Sequence, residues 1–162
     1  MHPLVVLTAL GSQPPVANTS LGVVRGIRLG NGVSQWLGLE YATATRWAAP
    51  TDRVVPYPFD FEAVDYGPNC PQHAGQVYNA SHAAEECLYI QGIWSAEAST
   101  PLPVMVWLHG GGYTFGGGAD YNGSELAARH GVCVVTINYR LGALGFAAMR
   151  EDAATNSNTG NW

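Results

Sequence analysis

An apolar run that ends in three consecutive glycines constrains this chain more than any other feature. The run Pro103-Val104-Met105-Val106-Trp107-Leu108 is followed at once by His109-Gly110-Gly111-Gly112-Tyr113. A continuous apolar run of this length is typical of a strand buried on both faces. Glycine has no Cβ, so the turn after the strand is free to adopt positive φ and to let an oxygen atom approach its N–H groups.

The glycine-rich stretch 110–118 has three interpretations. It is a flexible loop, a phosphate cradle, or an oxyanion hole, in which fixed N–H donors stabilise the alkoxide that forms when a nucleophile attacks an ester carbonyl. A phosphate cradle is disfavoured, because the stretch contains neither G-x-x-x-x-G-K-[ST] nor G-x-G-x-x-G. Its place directly after a buried strand favours the oxyanion hole, with His109 supporting the loop from its base.

Several segments, in the same order, resemble the amino-terminal part of type-B carboxylesterases and lipases, the cholinesterase-like branch of the α/β-hydrolases. The matching segments are residues 18–26, 37–42, 70–72, 85–90, 109–112 and 138–146, with Gly160-Asn161-Trp162 where the family continues towards its nucleophile. The resemblance implies an α/β fold, the amino-terminal part of an α/β-hydrolase. Its opening β-hairpin is followed by strands of a mostly parallel central sheet, which is incomplete here.

The resemblance also implies a serine ester hydrolase with a Ser-acid-His triad and without a cofactor or metal. The N–H groups of Gly111 and Gly112 then bind the oxyanion. Tyr113 and Phe115 line the substrate pocket, although ordinary core packing is an equal alternative for both rings. The expected partner is a small-molecule or lipid ester.

The nucleophile of such an enzyme is not found in these 162 residues. No serine has glycine both two positions before and two positions after it. The chain is therefore expected to carry the oxyanion-hole half of the machinery and to be inactive alone. Two alternatives stay open: a catalytically dead cholinesterase-like binding or adhesion module, and a truncated product without function.

Local signals predict the order of the elements. Two short apolar runs, 21–28 and 34–39, flank Asn31-Gly32, a strong hairpin signal. The proline-rich stretch 50–71 reads as an irregular connection. Strands are expected at 88–94, 103–108 and 132–138. A helix capped by Ser124 and stopped by Gly131 lies between the last two strands, which favours a parallel pairing.

The cysteines and one ion pair add to the resemblance. The family pattern implies a disulfide between Cys70 and Cys87, enclosing 16 residues, whereas Cys133 is most simply a small buried hydrophobe. Arg46 and Glu85 resemble a family ion pair, for which a solvated pair is the alternative. A disulfide favours an oxidising compartment.

Other features favour secretion. Residues 1–17 are interpreted as a signal segment with a short apolar run, for which a frayed strand is the alternative, and residues 18–162 as the enzyme portion. Glycosylation sequons begin at Asn18, Asn79 and Asn122. The chain is thus expected to be extracellular.

Composition excludes other classes of function. The net charge is −5, only 12% of residues are charged, and basic clusters are lacking, all of which argue against nucleic acid as a partner. No apolar stretch approaches the length of about 18 residues that a membrane-spanning helix requires. The oligomeric state is open.

Overall fold

The computed structural model describes residues 13–72 and 82–147. The strands are β1 (Val16–Thr19), β2 (Gly22–Arg25), β3 (Ile27–Arg28), β4 (Ser34–Glu40), β5 (Ala42–Thr43), β6 (Thr51–Asp52), β7 (Phe61–Glu62), β8 (Tyr89–Ser95), β9 (Val104–Leu108) and β10 (Cys133–Ile137). The helices are α1 (Ser124–His130) and α2 (Gly142–Phe146), with a short 3-10 helix at Gly118–Asp120. Residues 1–12 of the expected signal segment, Asn79 and residues 160–162 lie outside the described residues, whereas Val16 and Ala17 begin β1.

The main sheet has five strands in the order β3-β4-β8-β10-β9. The pair β9–β10 is parallel, as predicted for two strands joined through helix α1. The other three neighbouring pairs are antiparallel. The described part of the sheet is therefore mixed, and the mostly parallel character implied by the resemblance is present in one strand-helix-strand unit.

The predicted hairpin is present between β3 and β4. Ile27 lies opposite Gln35, Gly32 has a φ of +81°, and the side-chain oxygen of Asn31 accepts a hydrogen bond from the Val33 N–H at 3.3 Å. The first arm is divided at Gly26, where a Cβ would lie 2.1 Å from the Gln35 carbonyl oxygen, so the close approach of the two arms requires glycine. The preceding strand β2 belongs instead to a separate sheet of order β1-β2-β7.

A fully buried tryptophan holds the main sheet against helix α1. Trp94 packs with Val33, Leu37, Ala127 and Val134. Its indole nitrogen donates a hydrogen bond of 2.8 Å to the side-chain oxygen of Gln35, so no polar group of the ring is left unsatisfied.

Helix α1 ends as predicted but begins one residue away from the expected cap. Gly131 closes it in the left-handed conformation, with a φ of +61°. The prediction that Ser124 is the N-cap is wrong, since Gly123 occupies that position and Ser124 is the first helical residue. The close packing explains the glycine, because a Cβ at 123 would lie 2.6 Å from the Val134 side chain.

The strand before the glycines is not buried within the described part of the chain. The side chains of β9 are 48–62% exposed, so the prediction of a strand covered on both faces is wrong for this structure. The physical reason is the lack of a covering layer, because helix α1 packs on β8 and β10 and not on β9 among the described elements with substantial contacts. Stretch 50–71 is largely irregular, as predicted, apart from β6 and β7.

No helix in the ranges 13–72 and 82–147 has the length and apolar character needed to cross a membrane.

Candidate active site

The glycine loop leaves the carboxyl end of β9 in a tight turn that requires glycine. Gly111 has a φ of +122° and Gly112 a φ of +59°. A Cβ on Gly111 would lie 1.9 Å from the carbonyl oxygen of Phe115, so no side chain fits there without a backbone shift. Tyr113 also adopts a positive φ, +62°, which is uncommon for a residue with a side chain.

Backbone hydrogen bonds close this turn. The carbonyl oxygen of Gly111 accepts hydrogen bonds from the N–H groups of Thr114 at 3.1 Å and Phe115 at 3.3 Å. The Thr114 hydroxyl donates a third, at 3.1 Å. The carbonyl oxygen of Tyr113 accepts from the Gly142 N–H at 2.7 Å, which ties the loop to the start of α2.

The turn leaves backbone donors unpaired. Among the described residues, no group accepts a hydrogen bond from the N–H of Gly111 or of Gly112. Gly112 lines an open cavity of about 580 Å³, whereas Gly111 lies just outside its wall. The lining residues are Tyr41, Leu108, His109, Gly110, Gly112, Tyr113, Ile137 and Tyr139. Unpaired donors beside a cavity are able to bind an anionic oxygen.

His109 lies at the base of the loop and is 3% exposed. Its Nδ1 atom is 2.8 Å from the carbonyl oxygen of Gly110, and its ring stacks on that of Tyr139 with 4.4 Å between centroids. The Tyr139 hydroxyl donates a hydrogen bond of 2.7 Å to the carbonyl oxygen of His109. Burial raises the pKa of that hydroxyl above 10, so it remains a donor at neutral pH. These contacts are compatible with the predicted supporting role.

The two aromatic residues predicted to contact substrate lie in different places. Tyr113 lines the cavity and is 61% exposed, with its ring 4.8 Å from that of Phe146. Phe115 is not among the cavity-lining residues. Its backbone instead packs beneath Gly111. The structure therefore brings one of the two rings to the cavity.

Sequence reasoning missed the buried amide of Asn138, which follows β10 at the same edge of the sheet. Its side chain accepts a hydrogen bond from the Gly118 N–H at 2.9 Å and donates to the Pro68 carbonyl at 3.0 Å. Its backbone N–H donates to the Tyr89 carbonyl, and its carbonyl accepts from the Tyr41 hydroxyl, both at 2.9 Å. The one available signal was a polar residue at the end of an apolar strand.

Cys70 and Cys87 form the disulfide that the resemblance implies, and both are buried. Cys133 is free and only half-buried, and burial raises the pKa of its thiol. A thiol with a raised pKa is a poor nucleophile at neutral pH.

The expected ion pair between Arg46 and Glu85 is present, and Glu85 lies two residues before Cys87 of the disulfide. Arg46 donates from Nε to the Glu85 carboxylate at 2.9 Å, and this hydrogen bond lowers the pKa of the carboxyl below its ordinary 4.5. The ion pair therefore stabilises the fold above about pH 4.5, and this contribution is lost as the pH falls through the lowered pKa of Glu85. Because both side chains face water, its contribution to stability is small.

Two of the three sequon asparagines are described, and both Asn18 and Asn122 are exposed. No cluster of three His, Cys, Asp or Glu side chains suited to a metal ion occurs in residues 13–72 and 82–147.

Comparison with known proteins places these features in a family. The model of the carboxylesterase family matches residues 13–162. Para-nitrobenzyl esterase of Bacillus subtilis (strain 168) is 39% identical over 142 residues, which cover 81% of this chain and 28% of that protein. Carboxylesterase 1D of Rattus norvegicus is 35% identical, and the match covers 100% of this chain and 33% of that protein.

The fold agrees with these relatives. A solved structure of PNB esterase superposes with a TM-score of 0.78 at 35% identity and covers 90% of this chain and 31% of its own. Each alignment thus spans about a third of the relative's length. The family match extends over nearly the whole sequence and includes the β9 strand, the glycine loop and the disulfide, and the chain belongs to the carboxylesterase family.

Proposed function

We propose that this chain is the amino-terminal part of a carboxylic ester hydrolase, and that the N–H groups of Gly111 and Gly112 form part of its oxyanion hole. The observation that carries the proposal is the pair of unpaired donors in a turn beside an open cavity. Membership of the carboxylesterase family supports the reaction class. His109 supports the loop, and Tyr113 contacts the acyl or alcohol group of the ester.

The proposed reaction proceeds through an acyl-enzyme. A serine oxygen bonds to the ester carbonyl carbon, its proton passes to a histidine, and the carbonyl π electrons move to oxygen. The two glycine N–H groups donate to this alkoxide, and one such donor is worth about 10²–10³ in rate. When this tetrahedral intermediate collapses, the bond between the carbonyl carbon and the alcohol oxygen breaks, and the alcohol takes the proton from histidine. Water then attacks the acyl-enzyme through the same steps, which releases the carboxylic acid and restores the serine. The serine, acid and histidine come from chain beyond these residues.

Burst kinetics with an activated ester test the proposal. A p-nitrophenyl ester is offered to two products: the 162-residue polypeptide and the product of the reading frame continued beyond Trp162. We expect a stoichiometric burst of nitrophenol and steady turnover from the longer product, because an activated ester acylates the serine faster than water deacylates it. The 162-residue polypeptide is expected to give neither, since it has no G-x-S-x-G.

The other outcomes decide between the alternatives. A continued frame that lacks the serine elbow, with no turnover, favours a binding module of the cholinesterase-like type. A stop codon directly after Trp162 contradicts the proposed esterase activity, and the family membership then reflects evolutionary descent alone. A burst from the short polypeptide contradicts the assignment of the nucleophile to later chain.

We also propose that the protein is secreted, with residues 1–17 removed and glycans attached at Asn18, Asn79 or Asn122. The buried disulfide and the exposure of Asn18 and Asn122 support this proposal. In a secreting eukaryotic cell, we expect N-glycosidase to increase the gel mobility of the secreted product. Asn18→Gln, Asn79→Gln and Asn122→Gln are compared singly, and at least one of these variants should lose one step of this mobility shift. Asn31, which is not in a sequon, provides the matched control Asn31→Gln. Retention of the product inside the cell with an intact amino terminus contradicts the proposal.

A further inference from the structure

The side chain of Gln72 holds the far end of the glycine loop. Its Oε1 atom accepts a hydrogen bond of 2.9 Å from the Gly116 N–H, and its Nε2 atom donates one of 3.1 Å to the Gly116 carbonyl oxygen. A second donor bond, also 3.1 Å, goes from Nε2 to the Cys70 carbonyl oxygen. One amide group thus occupies both backbone polar groups of Gly116 and joins them to the residue that carries the disulfide.

Gly116 is packed directly against the base of the loop. It has a φ of +116°, and a Cβ there would lie 2.4 Å from Nδ1 of His109 and 2.6 Å from the Gly110 carbonyl oxygen. The preceding Phe115 carbonyl fills the space beside Gly111 in the same way. The returning segment 115–116 therefore forms one wall against which the segment 109–111 rests.

We propose that Gln72 is a positioning residue for the oxyanion hole, holding Gly116 against His109 and Gly110 so that the N–H groups of Gly111 and Gly112 keep one orientation. This inference rests on the proposed esterase function. The hydrogen bond to the Cys70 carbonyl oxygen fixes the Gln72 amide, so Cys70, which carries the disulfide, helps to hold the glycine loop in place. Gln72 does not itself line the cavity.

The expected kinetic effect follows from when the oxyanion exists. Fixed donors lower the barrier because they need no reorganisation as charge develops. A loosened loop loses this advantage in the transition state, whereas the ground-state ester is bound by the side chains of the cavity wall. Loss of the amide should therefore lower kcat and leave KM nearly unchanged.

The test uses Gln72→Met and Gln72→Glu in the product of the continued reading frame. Methionine keeps the length of the side chain and removes all three hydrogen bonds. We expect kcat to fall by about tenfold to a hundredfold, less than removal of an oxyanion donor would cost, with KM within about twofold. Affinity for a trifluoromethyl ketone, whose adduct carries the oxyanion, should fall in parallel with kcat/KM.

The glutamate variant adds a pH-dependent rescue that a purely structural role would not produce. An ionised carboxylate accepts from the Gly116 N–H but donates nothing to the Gly116 and Cys70 carbonyl oxygens. A protonated carboxyl both donates and accepts, so it restores the paired contact with Gly116. The ratio of kcat for Gln72→Glu to that of the unmodified enzyme should therefore rise as the pH falls through the carboxyl pKa.

Gln35→Met is the matched control. The Gln35 amide also satisfies a buried group, the Trp94 indole, but lies in the hairpin and not at the loop. This variant should lower the free energy of unfolding without a selective loss of kcat or of trifluoromethyl ketone affinity.

Amide hydrogen exchange over peptides that cover residues 109–118 separates this inference from the proposed function. We expect faster exchange at Gly116 in Gln72→Met, whether or not the protein hydrolyses esters. If the unmodified product is inactive, the esterase proposal and the oxyanion role fail together, and exchange alone decides whether Gln72 holds Gly116. An active product in which Gln72→Met keeps its kcat, or changes only KM, overturns the positioning role.

Discussion

Gly111→Ala, introduced into the product of the continued reading frame, is expected to lower kcat for an activated ester by at least about a hundredfold. The added methyl group would lie 1.9 Å from the Phe115 carbonyl oxygen, and the φ of +122° is unfavourable for alanine. The backbone must therefore shift, and the N–H groups of Gly111 and Gly112 shift with it. Steady-state kinetics, with thermal unfolding measured in parallel, provide the check.

Two other glycines separate orientation from backbone strain. Gly112 and Gly131 have almost the same φ, +59° and +61°, and a Cβ on either meets nothing within 4 Å. Valine at each position therefore imposes similar strain, yet only Gly112→Val should reduce kcat by tenfold or more. Gly30→Ala, in open space with ordinary φ, should change neither stability nor rate. For the first prediction, full activity of the Gly111→Ala variant would show that the glycine loop takes no part in the mechanism.

Removal of the disulfide is expected to lower the free energy of unfolding by about 3 kcal/mol. Cys70 and Cys87 are 17 positions apart, and the bridge restricts the unfolded chain in proportion to the logarithm of that loop length. The double variant Cys70→Ala with Cys87→Ala, compared with the parent by urea unfolding, measures the effect.

The free cysteine supplies the control for this prediction. Cys133→Ala removes a half-buried thiol with no disulfide partner, so we expect a loss of less than about 1 kcal/mol. Equal losses in the two variants would mean that the bridge contributes little beyond the packing of its sulfur atoms.

The elements that could be predicted from the sequence are those specified by local chemistry. The Asn31-Gly32 turn fixes the β3–β4 hairpin because its backbone geometry suits the twist of two paired strands. Gly131 ends α1 because it adopts the left-handed conformation without strain. The position of the glycine loop followed from the apolar run before it.

The remaining features depend on residues distant in sequence. Glycine is required at position 26 by the close approach of Gln35 and at position 123 by the close packing of Val134. The bonds from Gln72 to Gly116 span 44 positions, so no local pattern indicates them. The continuous apolar run predicted a strand at β9 but did not indicate its place at the edge of the described sheet.

The edge position of β9 has a consequence for biosynthesis. Translation proceeds at about 5–20 residues per second, so the amino-terminal elements emerge while later chain is still being made. In that interval β9 presents five apolar side chains and one edge that pairs with no strand in residues 13–72 and 82–147, and such an edge is a template for association with a neighbouring nascent chain. Under the proposal that the chain is part of a longer hydrolase, the yield of soluble protein should depend on how quickly translation supplies a segment that covers β9, or on a chaperone that binds the strand until then.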